Sequence, residues 1–188
     1  MKTACAVIVI VLIFGLCTLA SSALNVSDNM VYDDVNDITW LLDANYIVTS
    51  GEVDSPGYVT WDDATEWVSD LEFDNATGWR LPADADMTYG YINNGELGYL
   101  YYDNLGNVAN ELNFNAGVFT NVQRYGYWTS ATATTDPNER WIFNFYHGST
   151  DTISYKAARA VWPVHDGDVT PMMWQGEVTT WQGENMIW

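Results

Sequence analysis

The amino-acid sequence predicts an α+β domain with two helices and a mainly antiparallel sheet of short strands, joined by long loops. Two stretches carry apolar residues at helical spacing, one after Thr60 and one after Gly95. The second half of the chain then contains four short runs of strand-forming residues, separated by turn-forming residues. Helices followed by consecutive strands are typical of the α+β class.

The first half of the chain is predicted to contain a hairpin and a capped helix. Residues 30–32 and 38–42 have the composition of two short strands. Thr60 suits the N-cap of the helix, and Asp63 is placed as its capping-box partner. The apolar stripe of this helix consists of Trp61, Ala64, Val68 and Leu71, widened by Trp67.

A strand that contains Arg80 is predicted after the helix. Residues 74–75 and then Gly78 are expected to end the helix. Arg80 lies between two large apolar residues in a period-2 pattern, and Pro82 ends the segment. An Arg in this position is expected to hold a carboxylate or carbonyl groups inside the fold, and not a ligand. The residues with predicted structural roles are Trp61, Leu71, Trp79, Arg80 and Pro82.

The second helix and four strands follow. Residues 84–94 are rich in Gly, Asn and Asp and predict a loop. Apolar groups at 97, 100, 101 and 105 predict a helix over 96–105 that Gly106 ends. After a long loop, strands are predicted at 127–130, 141–146, 152–155 and 160–164, with a hairpin turn at 147–151 between the middle two.

The N-terminal segment is typical of a secretory signal. An apolar run over 4–19 leads into a small-residue cleavage pattern that ends at Ala23. Cleavage is expected there, and an uncleaved membrane anchor is the alternative. The protein is therefore expected to be secreted, periplasmic or at the cell surface. Cys5 and Cys17 would leave with the signal, so the domain would rely on its core and not on disulfides.

The charge of the chain excludes several classes of partner. It has 25 acidic and six basic residues, and its net charge is −19. Nucleic acid, anionic lipid and sulfated glycans are disfavoured. A cation, or a neutral sugar stacked on some of the ten Trp and twelve Tyr rings, fits this charge better. The alternative is that the acidic surface serves only solubility.

Several segments resemble, in order, the Lcl C-terminal domain family, named after the terminal domain of a bacterial collagen-like adhesin. They fall within residues 31–169 and include Val59-Thr-Trp-Asp-Asp-Ala64, Gly78-Trp-Arg-Leu-Pro82, Tyr127-Trp-Thr-Ser130, Trp141-Ile-Phe-Asn-Phe145 and Ala160-Val-Trp-Pro-Val-His-Asp-Gly-Asp168. The family is similar in fold to C-type lectins and to formylglycine-generating enzymes. The resemblance implies a C-type lectin-like, exported bacterial module, with glycan binding or surface adhesion as precedent and no catalytic residues.

The chain departs from these relatives in ways that bear on activity. The adhesin's basic surface for sulfated polysaccharide cannot transfer to so acidic a chain. Formylglycine-forming relatives depend on cysteines, and iron-dependent relatives need a cluster of histidines, whereas only His147 and His165 are present here. Neither histidine accompanies a nucleophile motif, and the many carboxylate pairs carry no specificity for glycoside hydrolysis. The chain is therefore expected not to be an enzyme.

Candidate ligand and cation residues lie in three oxygen-rich segments. Residues 136–139 resemble the segment that holds calcium in sugar-binding C-type lectins. The candidate ligand-binding residues are Asp136, Asn138, Glu139 and Trp141. The candidate calcium ligands are Asp84, Asp86, Asp166 and Asp168. None of these segments has the spacing of an EF-hand loop, and turn capping with solvation is the alternative.

The predicted domains are a signal at 1–23, a single domain at 24–169 and a Trp-rich tail at 170–188. In the tail, Trp174, Trp181 and Trp188 lie seven residues apart, and Trp-Gln-Gly-Glu occurs twice. Gly176 and Gly183 disfavour a coiled coil, because each glycine costs about 1 kcal/mol in a helix. Short strands with Gln-Gly turns fit better, and they could pack on their own domain or on a neighbour. No stable membrane insertion is expected after signal removal.

Two functions remain open at the level of the sequence. The first is an exported recognition or adhesion module that binds a surface glycan or protein, with a neutral glycan as the favoured ligand and calcium as the candidate cofactor. The second is a structural protein of the cell envelope or extracellular matrix that self-associates through its aromatic tail. The first is preferred, because the resemblance covers the domain whereas the tail offers only a repeat.

Overall fold

The structure of the protein is a computed structural model that describes residues 24–83 and 88–171. Within these residues, the strands are β1 (Leu24–Ser27), β2 (Met30–Asp33), β3 (Ile38–Leu41), β4 (Gly126–Thr132), β5 (Glu139–Asn144), β6 (Ser149–Ser154) and β7 (Val164–Asp166). The helices are α1 (Tyr46–Thr49), α2 (Trp61–Asp70) and α3 (Glu96–Tyr99), and a π-helical turn (Leu100–Asn104) follows α3 directly. None of the helices in these ranges has the length and apolar character needed to cross a membrane.

The described strands form two antiparallel sheets. One has the order β1-β2-β3-β7, and the other has the order β4-β5-β6. In the first sheet, β3 pairs with β2 on one side and with β7 on the other, so the two ends of the domain share one sheet. This architecture confirms the predicted α+β class with antiparallel sheets of short strands. The likeness to C-type lectins stays a prediction.

The predicted first hairpin is confirmed as β2 and β3. Asp33 stabilises its turn, because Oδ1 accepts hydrogen bonds from the backbone N–H groups of Val35 at 3.0 Å and Asn36 at 3.2 Å. This carboxylate is buried, and the turn donors replace its hydration. Strand β1 and helix α1 are not predicted from the sequence, because four-residue elements give no periodic pattern.

Helix α2 begins at the predicted residue. The Thr60 hydroxyl accepts a hydrogen bond from Asp63 N at 3.3 Å and donates one to Asp63 Oδ2 at 2.6 Å. This is the predicted N-cap, in which a side chain satisfies a backbone donor of the first turn. Ala64 and Val68 on the predicted apolar stripe are buried. The cap and the stripe together define where the helix starts and which face it packs.

The end of α2 corrects the prediction. The helix ends at Asp70, because Leu71 adopts an extended backbone with φ −65° and ψ 125°. Asp74 and Asn75, at φ 48° and 66°, form a separate tight turn that pairs Phe73 with Ala76. The expectation that residues 74–75 and Gly78 end the helix is therefore wrong. Asn and Asp tolerate this left-handed backbone better than other residues with side chains do.

The second predicted helix is present but changes geometry midway. The α-helical hydrogen bonding of α3 gives way to a π-helical turn, in which Leu105 N donates to Leu100 O at 3.0 Å. The predicted apolar residues are each at most 4% exposed: Leu97, Leu100, Tyr101 and Leu105. Gly106, at φ +66°, follows the helical segment in the conformation that favours glycine.

The later strands differ from the prediction in extent. The prediction of a strand at 160–164 is wrong, since Ala160 forms one bridge to Tyr127 and β7 begins only at Val164. The strand expected around Arg80 is likewise a single bridge, to Val164. The turn between β5 and β6 covers residues 145–148, so the expected turn at 147–151 lies too late in the chain. Strand length depends on a pairing partner, which local sequence does not specify.

The core contains two clusters of buried apolar residues, one around Trp162 and one around Trp128. Trp162 is fully buried, and its indole N–H donates to Leu41 O at 2.9 Å. Four ring centroids lie between 4.9 and 6.0 Å from that of Trp162: Trp40, Phe119, Tyr127 and Phe145. Such aromatic pairs contribute about 0.5–1.5 kcal/mol each beyond their burial. Many of the abundant aromatic rings therefore fill the core.

Candidate functional site

Arg80 lies at the centre of an ion-pair network between three parts of the chain. Its guanidinium forms a two-pronged contact with Glu96, in which Nη2 is 2.7 Å from Oε1 and Nη1 is 2.9 Å from Oε2. Asp166 Oδ1 accepts from Nε at 3.0 Å and from Nη2 at 2.5 Å. The hydrogen bonds from Glu96 and Asp166 raise the pKa of Arg80, although its partial burial opposes them. Because Arg80 binds two carboxylates of the fold, its contacts are those of a structural residue.

The candidate calcium ligands do not form a cation site among the described residues. Arg80 engages the Asp166 carboxylate, and its hydrogen bond lowers the pKa of that group. Asp168 Oδ1 accepts from Thr170 N at 2.9 Å and from Thr170 Oγ1 at 2.6 Å. Asp84 and Asp86 lie outside the described residues. Within those residues, no group of three or more His, Cys, Asp or Glu side chains is arranged to hold a metal ion.

The segment at 136–139 forms a turn before β5. Asp136 Oδ1 accepts from Asn138 N at 2.8 Å and from Asn138 Nδ2 at 3.1 Å. Glu139 N donates to Asp136 O at 3.1 Å, which closes the turn. Trp141 is 4% exposed, so its ring offers no open face for stacking. Three of the four candidate ligand residues therefore have contacts within the fold, and the fourth is buried.

An exposed tyrosine that the sequence does not single out joins Glu139 to Trp141. Tyr89 is 57% exposed, and its ring centroid is 4.7 Å from that of Trp141. The Tyr89 hydroxyl is 2.9 Å from Thr152 Oγ1, which donates to Glu139 Oε2 at 2.6 Å. Backbone bonds between Gly90 and Thr150 hold this segment on the edge of β6. The pairing of β5 with β6 and the bridge from Gly90 to Thr150 together bring these side chains into contact.

Both histidines contact groups of the fold. His165 Nδ1 is 2.6 Å from Asp166 O, and its Nε2 is 2.9 Å from Thr77 O. His147 Nδ1 is 3.0 Å from Asn110 Oδ1. These contacts with carbonyl and amide oxygens orient the rings within turns and loops, which is a structural arrangement.

A groove with acidic and aromatic walls lies between α1 and α2, and we call it the acidic groove. Its volume is about 720 Å³. One wall consists of Tyr46 with residues 50–53, and the other is a face of α2 with the residues that follow it. The residues that line it are Tyr46, Ser50, Glu52, Val53, Val59, Asp63, Glu66, Trp67, Asp70, Leu71 and Glu72. Five of these carry carboxylates, and none of them is Lys or Arg.

The helical wall of the acidic groove follows from the spacing of four residues in α2. Asp63, Glu66, Trp67 and Asp70 recur at intervals of three or four and therefore share one helix face. The three carboxylates are exposed, and Trp67 is partly exposed. The spacing of this stripe can be recognised in the sequence. Without the structure, however, its acidic residues indicate only a favourable interaction with the helix dipole near the helix start. The opposite wall has no comparable signal, because α1 and residues 50–53 are short and irregular.

The basic side chains of the described residues leave the groove carboxylates unneutralised. Both described ion pairs involve Arg80. The other four cations lie over aromatic rings at 4.6–5.7 Å from a ring centroid, and they are Arg124, Arg140, Lys156 and Arg159. Because none of the five lines the groove, its carboxylates other than Asp63, which the Thr60 hydroxyl contacts, remain available to donors from a ligand.

The protein is a small α+β domain with an acidic, aromatic groove. Its described residues contain no group of three or more potential metal ligands. A family model, the Lcl C-terminal domain, matches residues 29–165 of the chain. The chain therefore belongs to the Lcl C-terminal domain family, which confirms the resemblance of its segments. No curated protein matches the chain.

Proposed function

We propose that the protein is an exported, non-catalytic recognition module that binds a neutral glycan of a cell or matrix surface in the acidic groove. The observation that carries this proposal is the composition of the groove. Tyr46 and Trp67 lie in its walls together with five carboxylates, and no cation lines it. Its volume of about 720 Å³ is in the range of ligand-binding sites.

The chemistry of a neutral sugar matches these groups. The C–H face of a sugar ring packs on an aromatic ring, as other apolar groups do. Sugar hydroxyls donate hydrogen bonds, and ionised carboxylates accept them strongly. Sulfated or uronic-acid glycans would add negative charge beside Glu66 and Asp70, and Coulomb repulsion would weaken their binding.

A binding role, and not catalysis, is supported by the state of the reactive side chains. His147 and His165 contact amide or carbonyl oxygens, and Arg80 is held by two carboxylates. The groove carboxylates are exposed, which is unlike the buried acid that glycoside hydrolysis needs. Export rests on the predicted signal at 1–23, which lies outside the described residues.

The test is a glycan array followed by titration calorimetry, each with and without a calcium chelator. We expect neutral glycans to bind under both conditions and sulfated glycans not to bind. The double variant Glu66→Gln with Asp70→Asn should lower the affinity about tenfold or more, because charge-assisted hydrogen bonds become neutral ones. Asp62→Asn is the matched control, since Asp62 is exposed on the same helix and does not line the groove.

The outcome that contradicts this proposal is the absence of any neutral-glycan ligand with or without chelator. Binding that the chelator abolishes would contradict the metal-free site. Equal affinities for the double variant and the wild-type protein would place the glycan elsewhere.

The second function, assembly through the tail at 170–188, is supported by one contact. Ser27 Oγ donates to Pro171 O at 3.4 Å, so the tail starts beside β1, which is an edge strand of the described sheet. Edge strands offer unpaired backbone groups to other strands. Trp174, Trp181 and Trp188 lie outside the described residues. Deleting 170–188 should convert an assembled form into a monomer in size-exclusion chromatography, and an unchanged monomeric profile would exclude this function.

A further inference from the structure

A second cavity adjoins the acidic groove at Tyr46. Its volume is about 460 Å³. It is lined by Asn29, Leu41, Leu42, Asp43, Tyr46, Thr49, Phe73, Asp74 and Thr120. Tyr46 lines both cavities. Thr49 and Phe73 line the second cavity, and their chain neighbours Ser50 and Glu72 line the acidic groove. The two cavities are therefore neighbouring compartments that share Tyr46 in their linings.

The second cavity differs in chemistry from the acidic groove. Phe73 packs edge-on against Tyr46, with ring centroids 5.0 Å apart. Hydrogen bonds within the fold hold the Asp43 carboxylate, because Oδ2 accepts from Thr49 Oγ1 at 2.6 Å and from Asn121 Nδ2 at 2.9 Å. With Asp43 bound in this way, the apolar part of the compartment consists of Leu42, Phe73 and Tyr46, beside the exposed polar residues Asn29 and Asp74.

The ring of Tyr46 is held in place at the junction. Tyr46 is the first residue of α1. Phe73 packs against its ring, and two backbone hydrogen bonds between Phe73 and Ala76, with N···O distances of 3.0 and 2.9 Å, hold Phe73 in place. Tyr46 is partly exposed between the two compartments. A supported ring that borders both a carboxylate-rich and a more apolar compartment is suited to a chain that passes over it.

We propose that the glycan is a linear chain that crosses Tyr46, with consecutive sugar units in both compartments. Hydroxyl groups of the units in the acidic groove donate to carboxylates such as Glu66 and Asp70. The units in the second cavity pack their C–H faces against Phe73 and Leu42. A single sugar would fill only one compartment and leave the other aromatic surface solvated. This inference rests on the proposed function and specifies its ligand as an oligosaccharide.

The experiment measures affinity against chain length. The probes are neutral oligosaccharides of one to six units of glucose, mannose or N-acetylglucosamine, whichever binds on the array. We expect the affinity to rise about tenfold or more from one unit to about four units and then to level off, since each unit up to that length adds hydrogen bonds or apolar contacts. Calorimetry gives the affinity and the stoichiometry for each length.

A cavity-filling variant separates the two compartments. Thr120 is exposed and lines only the second cavity, so Thr120→Phe should fill that compartment without disturbing the core. We expect it to abolish the gain with chain length and to leave the affinity for short probes unchanged. Thr132→Phe, at an exposed strand residue that lines neither cavity, is the matched control and should retain the full gain.

The outcomes distinguish the two proposals. A monosaccharide that binds as tightly as a tetrasaccharide, with no effect of Thr120→Phe, overturns the crossing chain and leaves the proposed function intact. The absence of binding at every chain length overturns the proposed function. Binding of a lysine-rich peptide in place of any sugar would overturn both.

Discussion

Arg80 and Glu96 determine how three separate segments meet. Arg80 lies in the segment that follows α2, Glu96 is the first residue of α3, and Asp166 is the last residue of β7. Glu96 Oε2 also accepts from Ala83 N at 2.6 Å, so one carboxylate satisfies both a guanidinium and a backbone donor. Because the Glu96 side chain is 15% exposed, water replaces these contacts poorly when they are lost.

The replacement Glu96→Gln is expected to lower the free energy of unfolding by about 1–3 kcal/mol, because Arg80 exchanges a two-pronged ion pair for a weaker hydrogen bond to a neutral amide. Urea titration followed by Trp fluorescence measures the change. Glu111→Gln, at an exposed loop residue, is the control and should change the free energy by less than about 0.5 kcal/mol. Equal effects of the two replacements would contradict a stabilising role for Glu96.

Helix α2 combines a core-facing side with a groove-facing side. Ala64 and Val68 pack into the core, whereas Asp63, Glu66 and Asp70 are exposed along the acidic groove. Because both sides derive from one helix, its capping affects the stability of the domain and the geometry of the groove together. Such a helix gains most of its stability from tertiary packing, with the cap as a local addition.

Thr60→Ala is expected to lower the free energy of unfolding by about 0.5–2 kcal/mol, because a backbone donor of the first turn loses its side-chain acceptor. The control is Thr65→Ala, since the Thr65 hydroxyl donates to Trp61 O at 2.8 Å inside the same helix and caps nothing. Its replacement should be nearly neutral. Urea midpoints of both variants give the comparison, and a larger loss for Thr65→Ala would refute the cap assignment.

The whole domain is held together by aromatic packing across its described elements. Rings from both sheets and from the loop at 107–125 surround Trp162. Tyr102, in the π-helical turn, donates its hydroxyl hydrogen to Gly148 O in the turn between β5 and β6. Burial raises the pKa of Tyr102 to about 12, and burial also raises the pKa of Tyr127. Ionisation of these phenols would place negative charge inside the fold.

The protein is therefore expected to lose stability at alkaline pH. Since the pKa of Tyr102 is raised in the folded state from 10.0 to about 12, its contribution is complete below pH 10.0 and is lost as the pH rises toward 12. Tyr102→Phe should flatten the fall in unfolding free energy over this interval. Urea titrations at a series of pH values measure the slope.

Tyr146→Phe is the control for the alkaline prediction, because Tyr146 is 47% exposed and is not among the groups that raise the pKa of Tyr102. It should leave the slope of unfolding free energy against pH as it is in the wild-type protein. A slope that Tyr102→Phe does not change would exclude Tyr102 as a source of the alkaline loss.

Local signals in the sequence account for part of this structure. The cap at Thr60, the stripe of α2 and the turn at Asp33 are predictable, because each depends on residues within one or two turns of chain. Strand β1, helix α1 and the lengths of the strands around Arg80 and Ala160 are not predictable in this way. Strand β1 and helix α1 have four residues each and carry too little pattern of their own, whereas the bridges of Arg80 and Ala160 go to segments far away in the chain.

The candidate site is likewise predictable from the sequence only in part. The helical wall of the acidic groove is visible as Asp63, Glu66, Trp67 and Asp70 at helical spacing. Tyr46 and residues 50–53, which face it, carry no sequence signal. The candidate cluster at Glu139 and Trp141 could be placed in β5, but the fold covers Trp141 with Tyr89.

The sequence by itself determined the α+β class, the family, the start of α2 and the negative charge that disfavours anionic ligands. These properties depend on composition and on contacts between near neighbours. Only the tertiary structure decided which carboxylates Arg80 binds, where α2 ends and that Tyr46 lines two adjoining cavities. Those features depend on segments far apart in the chain, and close packing of the whole domain selects one arrangement for them.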